Sequence, residues 1–404
     1  MTTNLEDAQT LRTVLCGLNG QPIGQTLSAD QGAALRNAGL RLPLTAVARG
    51  LFPTSENTAP PGAARPTERG ALPMPWSATP TALIPLWMFT PDGRPAETDP
   101  RHALAAVVAR YARQGWTPRV GAQMTFALAS ATPGVEILAP ETLAQLDHVL
   151  SDIFDGAAKM GIEAEPIRPG AEPGQFRAIL KSQDTMNTAD DLWLLKMLIK
   201  GMATRHGLHA TFALPELADT LRLSFSVMTE EEENIFNDLN DEGASALSSA
   251  LAGGIQALPL LFTVTAPFSD GYRDLASHYA AGDAVSYGRG PRTAPLHVPS
   301  GPAFARRIAC SVPRASANPY IALAILLGAA WHGLTTGATL PAKPLCPQMP
   351  LNLSAALTQT AGAGRNTPLP KALIAAYRSL KMQDLAALKT LSPEARAQRL
   401  AQLI

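Results

Sequence analysis

Two adjacent arginines, Arg306 and Arg307, lie among apolar residues in the stretch FARRIACSVPRASANPY, residues 304–320. The stretch contains no acidic residue. A guanidinium group is rarely buried without a partner, because removing its water is costly. It binds carboxylate and phosphate groups well, since its N–H donors match two oxygen atoms at once. We therefore expect these side chains to face either solvent or an anion supplied from outside the stretch.

Other patterns that could do chemistry are weak. The sequence has no Walker loop, no HExxH zinc motif and no GxSxG elbow. His206 and His209 are separated by Gly207, so a structural role is expected for both. Four consecutive acidic residues, 230–233, cannot all direct their carboxylates at one ion, and an exposed turn is expected there.

The composition excludes several classes of protein. The net charge is zero, without the excess of Lys and Arg that nucleic-acid binding needs. The three cysteines are widely spaced, the N-terminus is acidic, and the longest apolar run, residues 320–331, is too short for a membrane span. We expect a cytoplasmic protein that binds neither nucleic acid nor membrane. Only 16% of residues are charged, against about 25% in an average soluble protein, which favours an oligomer.

The elements that must position any site form two groups along the chain. Before Arg101, the sequence predicts a hairpin at Asn19-Gly20, a helix over 28–39, an irregular loop over 52–76 and a strand from 82. After it, helices and strands alternate, which indicates an α+β or α/β class. One of these helices is expected to be capped by Thr188, with the two acids that follow in its first turn.

Several motifs resemble the glutamine synthetase family, across nearly the whole chain. They are listed here in chain order: LNGQPIG, GWTPRVGAQMTF, EPGQF, ADDLWLLKMLIKGMATRHGLHATF and the long run ending in FARRIACSVPRASANPY. The N-terminal motif is similar to the branch of the family that makes γ-glutamyl amides of amines. The resemblance implies an α+β fold with a small β-grasp domain, residues 1–103, and a larger domain with a curved antiparallel sheet, residues 104–404.

The resemblance also implies an assembly and a chemistry. Family members form hexameric rings, often paired into dodecamers, so a homo-oligomer or a hetero-oligomer with a related active subunit is expected. ATP phosphorylates the γ-carboxylate of glutamate, and ammonia or an amine then displaces the phosphate. Two or three Mg²⁺ or Mn²⁺ ions support these steps, and glutamates and one histidine hold them.

Six positions of this sequence correspond to the family's metal ligands, and none is acidic or histidine. They are Gln123, Thr125, Gly170, Arg177, Arg222 and Ala309. Two arginines thus replace metal ligands, and the local formal charge becomes more positive by about seven units, which should repel divalent cations and attract anions. The candidate anion- or phosphate-binding residues are Arg177, Arg222, Arg289, Arg292, Arg306, Arg307 and His297.

These replacements favour a pseudoenzyme that has lost metal- and ATP-dependent ligation. Its expected role is structural or regulatory in nitrogen or amine metabolism, with no catalytic residue, no metal and no cofactor. The alternative is an enzyme or sensor that binds an anionic metabolite in the former active-site funnel, with metal-independent chemistry.

Overall fold

A computed structural model describes residues 8–50, 60–130, 140–212, 214, 220–265, 272–279, 282–288, 294–362, 367–392 and 395. It contains two separate β-sheets, with helices packed on both. The α+β class predicted from the sequence is confirmed.

The N-terminal sheet is mixed and carries one α-helix. Its elements are β1 (Thr10–Cys16), β2 (Pro22–Ile23), β3 (Thr26–Ser28), α1 (Gly32–Ala38), β4 (Leu40–Pro43), β5 (Pro61–Pro66), β6 (Leu72–Pro73) and β7 (Thr81–Phe89). The strand order is β2-β1-β7-β5-β4, and the central pair β1 and β7 is parallel. Leu35 of α1 is buried in one core with Leu11, Ile84 and Met88 of the sheet.

Local turn chemistry explains the first part of this sheet. The chain reverses between β1 and β2 at Asn19-Gly20, where Gly20 has a φ of 76°, as the hairpin signal predicts. Ser28 and Gln31 form a capping box before α1, and Gly39 ends it with a φ of 77°. Both predictions are confirmed.

The irregular loop predicted over 52–76 is wrong in its described part. Strand β5 pairs with both β4 and β7, and β6 pairs with β7. The two prolines of β5 lie at its ends, where a missing N–H costs the ladder least, and Ala64 between them is fully buried. Pairing with distant strands therefore outweighs a local composition rich in Pro and Gly.

The larger C-terminal sheet is surrounded by helices. Its elements are α2 (Pro100–Ala112), β8 (Thr117–Ser130), α3 (Pro140–Lys159), β9 (Arg168–Pro169), β10 (Gln175–Asp184), α4 (Thr185–Arg205), β11 (Leu208–Thr211), β12 (Leu221–Met228), α5 (Asp241–Thr265), α6 (Tyr272–Tyr279), β13 (Val285–Gly288), β14 (Leu296–Pro299), β15 (Ile308–Cys310), α7 (Pro319–Thr336), α8 (Leu353–Gly362) and α9 (Lys371–Lys389). The strand order is β13-β14-β15-β12-β8-β10-β9, and β11 also pairs with β8.

Alternation along the strands divides this sheet into two faces. Met124 of β8, Leu223 of β12 and Cys310 of β15 belong to the main hydrophobic core beneath the helices. Their neighbours in sequence therefore point to the opposite, concave face. That face carries Gln123 and Arg222, which are two of the residues singled out above.

The two most apolar helices are core helices. Segments 241–264 and 319–336 are long and apolar enough to cross a membrane by length and composition alone. In each, 72% of the most apolar window is buried inside the protein. The residues of α7 from Pro319 to Ala330 are all buried, as expected for the run 320–331.

Helix α4 begins differently from the prediction. Asp184 caps it by accepting from the backbone N–H of Asn187 at 3.0 Å, whereas Thr188 is buried and donates to the carbonyl of Val120 at 2.8 Å. The predicted Thr188 cap is therefore wrong, and the acids that follow it are buried.

Those two acids hold the sheets together. Asp190 accepts two hydrogen bonds from Arg101, at 3.0 and 3.1 Å, and one from the hydroxyl of Tyr320 at 2.7 Å. Arg101 also lies over the ring of Trp87, a residue of the N-terminal sheet, at 4.5 Å. The next acid, Asp191, forms an ion pair with Arg69 at 2.6 Å. Burial raises the pKa of Asp191 to about 6.

Candidate functional site

The concave face of the C-terminal sheet encloses a cavity of about 600 Å³. We call this cavity the funnel. Side chains of β8, β10, β12 and β15 form its floor, and the segment from His297 to Arg307 forms one wall. Every second side chain of each strand points into the funnel. The funnel floor is therefore polar, although the opposite face of the sheet packs into the apolar core.

The centre of the funnel floor contains three of the six positions that the family resemblance assigns to metal ligands. Gln123 and Arg222 lie directly opposite each other on β8 and β12. Ala309 lies on the next strand, opposite both Ser224 and His297. The Nε of Arg222 donates to the Ser311 hydroxyl at 3.3 Å, which holds the guanidinium within this face.

The other three positions that the resemblance assigns to metal ligands lie away from the funnel lining. Thr125 is buried opposite Arg177, whose Nε donates to the carbonyl of Pro169 at 3.2 Å. Gly170 packs against Gln175 so closely that an added Cβ would lie 2.5 Å from the Gln175 Cβ. The structure therefore brings together Gln123, Arg222 and Ala309. Thr125, Gly170 and Arg177 do not join them in the funnel lining.

The adjacent arginines have different environments. Arg306 donates to Asp238 at 2.8 Å and to the carbonyls of Pro299 and Gly301, and its side chain is only 17% exposed. Its acidic partner comes from outside the quoted stretch. Arg307 is exposed, lines the funnel and has no ion pair with any residue in the described ranges. Only Arg307 of this pair is thus placed to meet an anion in the funnel.

The remaining candidates are one histidine and two arginines. His297 lines the funnel, and its Nδ1 lies 2.9 Å from the hydroxyl of Ser286 on the parallel neighbouring strand. Arg289 and Arg292 lie outside the described residues.

Two further basic side chains line the funnel, and the sequence motifs did not identify them. They are Arg119 on β8 and Lys181 on β10. Arg119 donates to both carboxylate oxygens of Glu232 at 2.9 Å. The sequence did carry a signal for Arg119, because it lies an even number of residues before Gln123 on the same strand and so on the same face.

The charge of the funnel is positive. Among the residues that the structure describes, four basic side chains line it, those of Arg119, Lys181, Arg222 and Arg307, against one acid, Glu165. Glu165 itself forms an ion pair with Arg168. Nowhere in the described part of the chain do three His, Cys, Asp or Glu residues group as a metal site would need.

Comparison with known proteins decides the family. The model of the glutamine synthetase catalytic domain matches residues 97–395, most of the chain. This chain belongs to the glutamine synthetase family. Its sequence is 28% identical over 298 residues to gamma-glutamylputrescine synthetase PuuA of Escherichia coli. It is 29% identical over 317 residues to a glutamine synthetase of Clostridium saccharobutylicum.

The alignments with these relatives are partial. The first covers 66% of this chain and 63% of the relative, which is less than two thirds of that protein. The second covers 74% of this chain and 70% of the relative.

Solved structures show the fold of this glutamine synthetase family member over its whole length. An apo GmaS structure has a TM-score of 0.81 at 22% identity and covers 97% of both chains. A structure described as a novel glutamine synthase homolog has a TM-score of 0.85 at 19% identity and covers 100% of both. The glutamine synthetase-like fold predicted from the sequence, with its curled sheet, is confirmed.

Proposed function

We propose that this protein is a member of the glutamine synthetase family that does not perform metal- and ATP-dependent ligation and has a structural or regulatory role. One observation carries the proposal. The guanidinium of Arg222 lies opposite Gln123 at the centre of the funnel floor, beside Ala309, where the family resemblance calls for ligands of divalent cations.

The donor set at these positions supports the proposal. Mg²⁺ and Mn²⁺ take oxygen ligands, chiefly carboxylates, and several of them must converge. Gln123 offers one neutral amide oxygen, Ala309 offers none, and Arg222 adds a positive charge that repels a cation. The described residues at these positions therefore do not fit a divalent metal.

Steric packing at a fourth position gives further support. A side chain at Gly170 would press its Cβ to 2.5 Å from the Cβ and 2.9 Å from the backbone of Gln175. A glutamate at this position would require the backbone to move. Local packing therefore disfavours an acidic ligand at position 170, where glycine itself offers no ligand.

The excess of basic side chains in the funnel favours a second function, metal-independent binding of a small anion. Lys181, Arg222 and Arg307 face a cavity in which the one acid among the described lining residues, Glu165, is already paired with Arg168. An anion there would gain charge-assisted hydrogen bonds in a partly enclosed space. This candidate is compatible with a regulatory role, and binding alone would not restore the ligase.

Three further expectations belong to the proposal. The protein acts as an oligomer, either of identical subunits or with a related active subunit. It is located in the cytoplasm. The N-terminal β-grasp domain ends near residue 103, close to residue 97, where the family's catalytic-domain match begins.

An ADP-release assay tests the proposal. The protein is incubated with ATP, Mg²⁺ or Mn²⁺, glutamate and either ammonia or putrescine, the amine suggested by the name of one relative. We expect no ADP release that depends on both glutamate and amine. Release that depends on both, and that Arg307→Gln abolishes, would show a working ligase and refute the proposal.

Titration with inorganic phosphate in the presence of EDTA tests the second candidate. Binding should be measurable without metal and weaken about tenfold or more in Arg222→Gln, because a charge-assisted hydrogen bond contributes roughly 1.5–3 kcal/mol. Arg177→Gln is the matched control, since Arg177 lies two strands from Arg222 in the same sheet but donates to the carbonyl of Pro169. Equal affinity in all three proteins would rule out the funnel as an anion site.

A further inference from the structure

A second set of cavities lies along helix α4, on the side that faces the β1–β2 hairpin. One cavity has a volume of about 490 Å³ and the other about 780 Å³. Both are lined by Pro22, Gly24, Met197 and Lys200, so they form one continuous depression. We call it the α4 groove. None of these lining residues lines the funnel.

The α4 groove is strongly and uniformly basic. Five cationic side chains line it, those of Arg12, Arg49, Lys196, Lys200 and Arg205. No acidic residue is among its described lining residues. The chain as a whole has equal numbers of acidic and basic residues, 33 of each, so this segregation creates a local positive potential.

The two lysines at the centre are held in an unfavourable arrangement. They are four residues apart on α4, where like charges on one helix face repel. Lys200 is half-buried, yet its ammonium group forms no hydrogen bond or ion pair with a residue that the structure describes, and burial lowers its pKa to about 8. Lys196 donates to the carbonyl of Ala317 at 3.3 Å. Burial, then the charge of Lys200, lowers the pKa of Lys196 to about 7.

A neutral donor in the same wall also lacks a partner. The Nε2 of Gln21 is buried and donates no hydrogen bond to any residue that the structure describes. A buried amide N–H normally has an acceptor, because leaving it unpaired costs about 1–3 kcal/mol. The amide of Gln21 and the ammonium of Lys200 therefore lack an acceptor in the described chain, whereas Lys196 has the carbonyl of Ala317.

The larger of the two cavities also contains apolar and aromatic side chains beside its basic ones. Trp76 lies flat against α4 at Gly201, where an added Cβ would be 2.3 Å from the Trp76 Cγ. Met74 and Met197 line the groove beside it. An indole ring with two thioethers suits a flat apolar group rather than a free inorganic ion.

We propose that the α4 groove binds a small organic dianion, either a phosphate monoester or a dicarboxylate, joined to a flat apolar group. Its anionic end lies between Lys196, Lys200 and Gln21, and its apolar part lies toward Trp76. A dianion would cancel the repulsion between the lysines and supply the acceptors that Gln21 and Lys200 lack. The groove is separate from the funnel, so this inference does not depend on the proposed function.

Binding at this groove should depend on pH. A bound dianion favours the charged lysines, so their pKa rises and the complex takes up protons. Affinity is therefore expected to increase as the pH falls from about 9 to about 7. The other charged groups that face the groove are Arg12, Arg49 and Arg205. Cys16 lies behind Lys196 and stays neutral, because burial raises its pKa well above the ordinary value.

Calorimetric titration of the full-length protein at pH 7 tests the inference. The probes are phenyl phosphate and phthalate, which represent the two sources of the dianion, with inorganic phosphate and phenol as the separated halves. At least one dianionic probe should bind at least about tenfold more tightly than inorganic phosphate or phenol. Lys200→Met should weaken it by about tenfold or more. Arg49→Gln, at an exposed position, should weaken it in the same direction.

A funnel variant separates the two cavities. Arg307→Gln should leave the affinity for the better probe unchanged, because Arg307 does not line the α4 groove. The inference is overturned if neither dianion binds, if Lys200→Met and Arg49→Gln both keep the original affinity, or if Arg307→Gln is the variant that loses binding.

Discussion

Arg306 and Arg307 are adjacent in the sequence, but their side chains lie in different environments. Arg306 is directed away from the funnel to Asp238 and two backbone carbonyls, whereas Arg307 projects into the funnel without an ion pair in the described chain. Strand-like alternation before β15 explains the difference, since consecutive side chains leave the backbone on opposite sides. The sequence raised the two options, solvent or a remote anion, and the structure assigns a remote acid to Arg306.

Substitution of the two arginines should therefore give opposite results. Arg306→Gln breaks a largely buried pair and should lower the free energy of unfolding by about 2 kcal/mol, with little effect on phosphate binding. Arg307→Gln should leave stability within about 0.5 kcal/mol and weaken phosphate binding in the funnel. Urea denaturation and calorimetry of both variants measure this. Loss of phosphate binding in Arg306→Gln together with loss of stability in Arg307→Gln would contradict these assignments.

At the scale of elements, sequence patterns predicted some of the strands and helices but not the contacts that support them. The hairpin at Asn19-Gly20 and the start of α1 follow from local turn and cap chemistry, so they were predictable. Strand β5 was not, because its stability comes from β4 and β7 rather than from its own residues. Strand alternation likewise placed Arg222 on a polar face, but only the observed register sets it opposite Gln123.

The start of α4 shows the same limit for charged residues. Asp190 and Asp191 have the spacing of first-turn acids that interact with a helix dipole, yet both are buried against arginines from other elements. Arg101 and Arg69 are distant from α4 in the sequence, so the residues around α4 could not predict these ion pairs. The acids hold the two sheets together rather than stabilise one helix end.

Asp190→Asn should accordingly be strongly destabilising. It leaves the guanidinium of Arg101, which is only 6% exposed, without its main counter-charge. We expect the free energy of unfolding to fall by about 3 kcal/mol. Asp152→Asn is the control, since the Asp152 pair with His206 is 46% exposed on the acid side and should contribute less than about 1 kcal/mol. Equal effects of the two changes would contradict the structural role of Asp190.

At the scale of the whole molecule, a buried lysine connects the ends of the chain. Lys381 on α9 donates to the side-chain oxygen of Asn19, whose amide donates to Asp384 at 2.9 Å. The side chain of Lys381 is fully buried, and burial lowers its pKa to about 7. Its folded-state pKa is thus below the unfolded value of about 10.5, so the unfolded chain holds more protons between these values.

The pH dependence of stability follows from that difference. Lys381 makes the folded state more stable as the pH rises from about 7 toward 10, and this contribution is lost as the pH falls back. In Lys381→Met the slope of unfolding free energy against pH should be smaller by up to about 1.4 kcal/mol per pH unit. Lys389→Met, an exposed position on the same helix, should keep the original slope. Denaturation at pH 7, 8 and 9 measures this slope. Identical slopes in the original protein and in Lys381→Met would show that the folded state does not lower the pKa of Lys381.

Low charge and exposed apolar side chains bear on assembly. In the single chain Leu239 is 85% exposed, Phe304 71% and Leu351 63%. We expect light scattering after gel filtration to give a multiple of the 42.5 kDa chain mass that persists in 1 M NaCl, since apolar contacts are not screened by salt. A monomer at micromolar concentration would contradict this expectation.

Direct measurement of Mn²⁺ binding tests the central claim, that the funnel has exchanged metal ligands for cationic and neutral side chains. Electron paramagnetic resonance on the full-length protein at pH 7.5 reports free Mn²⁺ during a titration, with and without ATP. The account predicts no funnel binding at micromolar Mn²⁺, and none in Arg222→His with Ala309→Glu, because the other positions stay without ligands. Micromolar Mn²⁺ binding by the unmodified protein, lost on changing Gln123 to Ala, would contradict it.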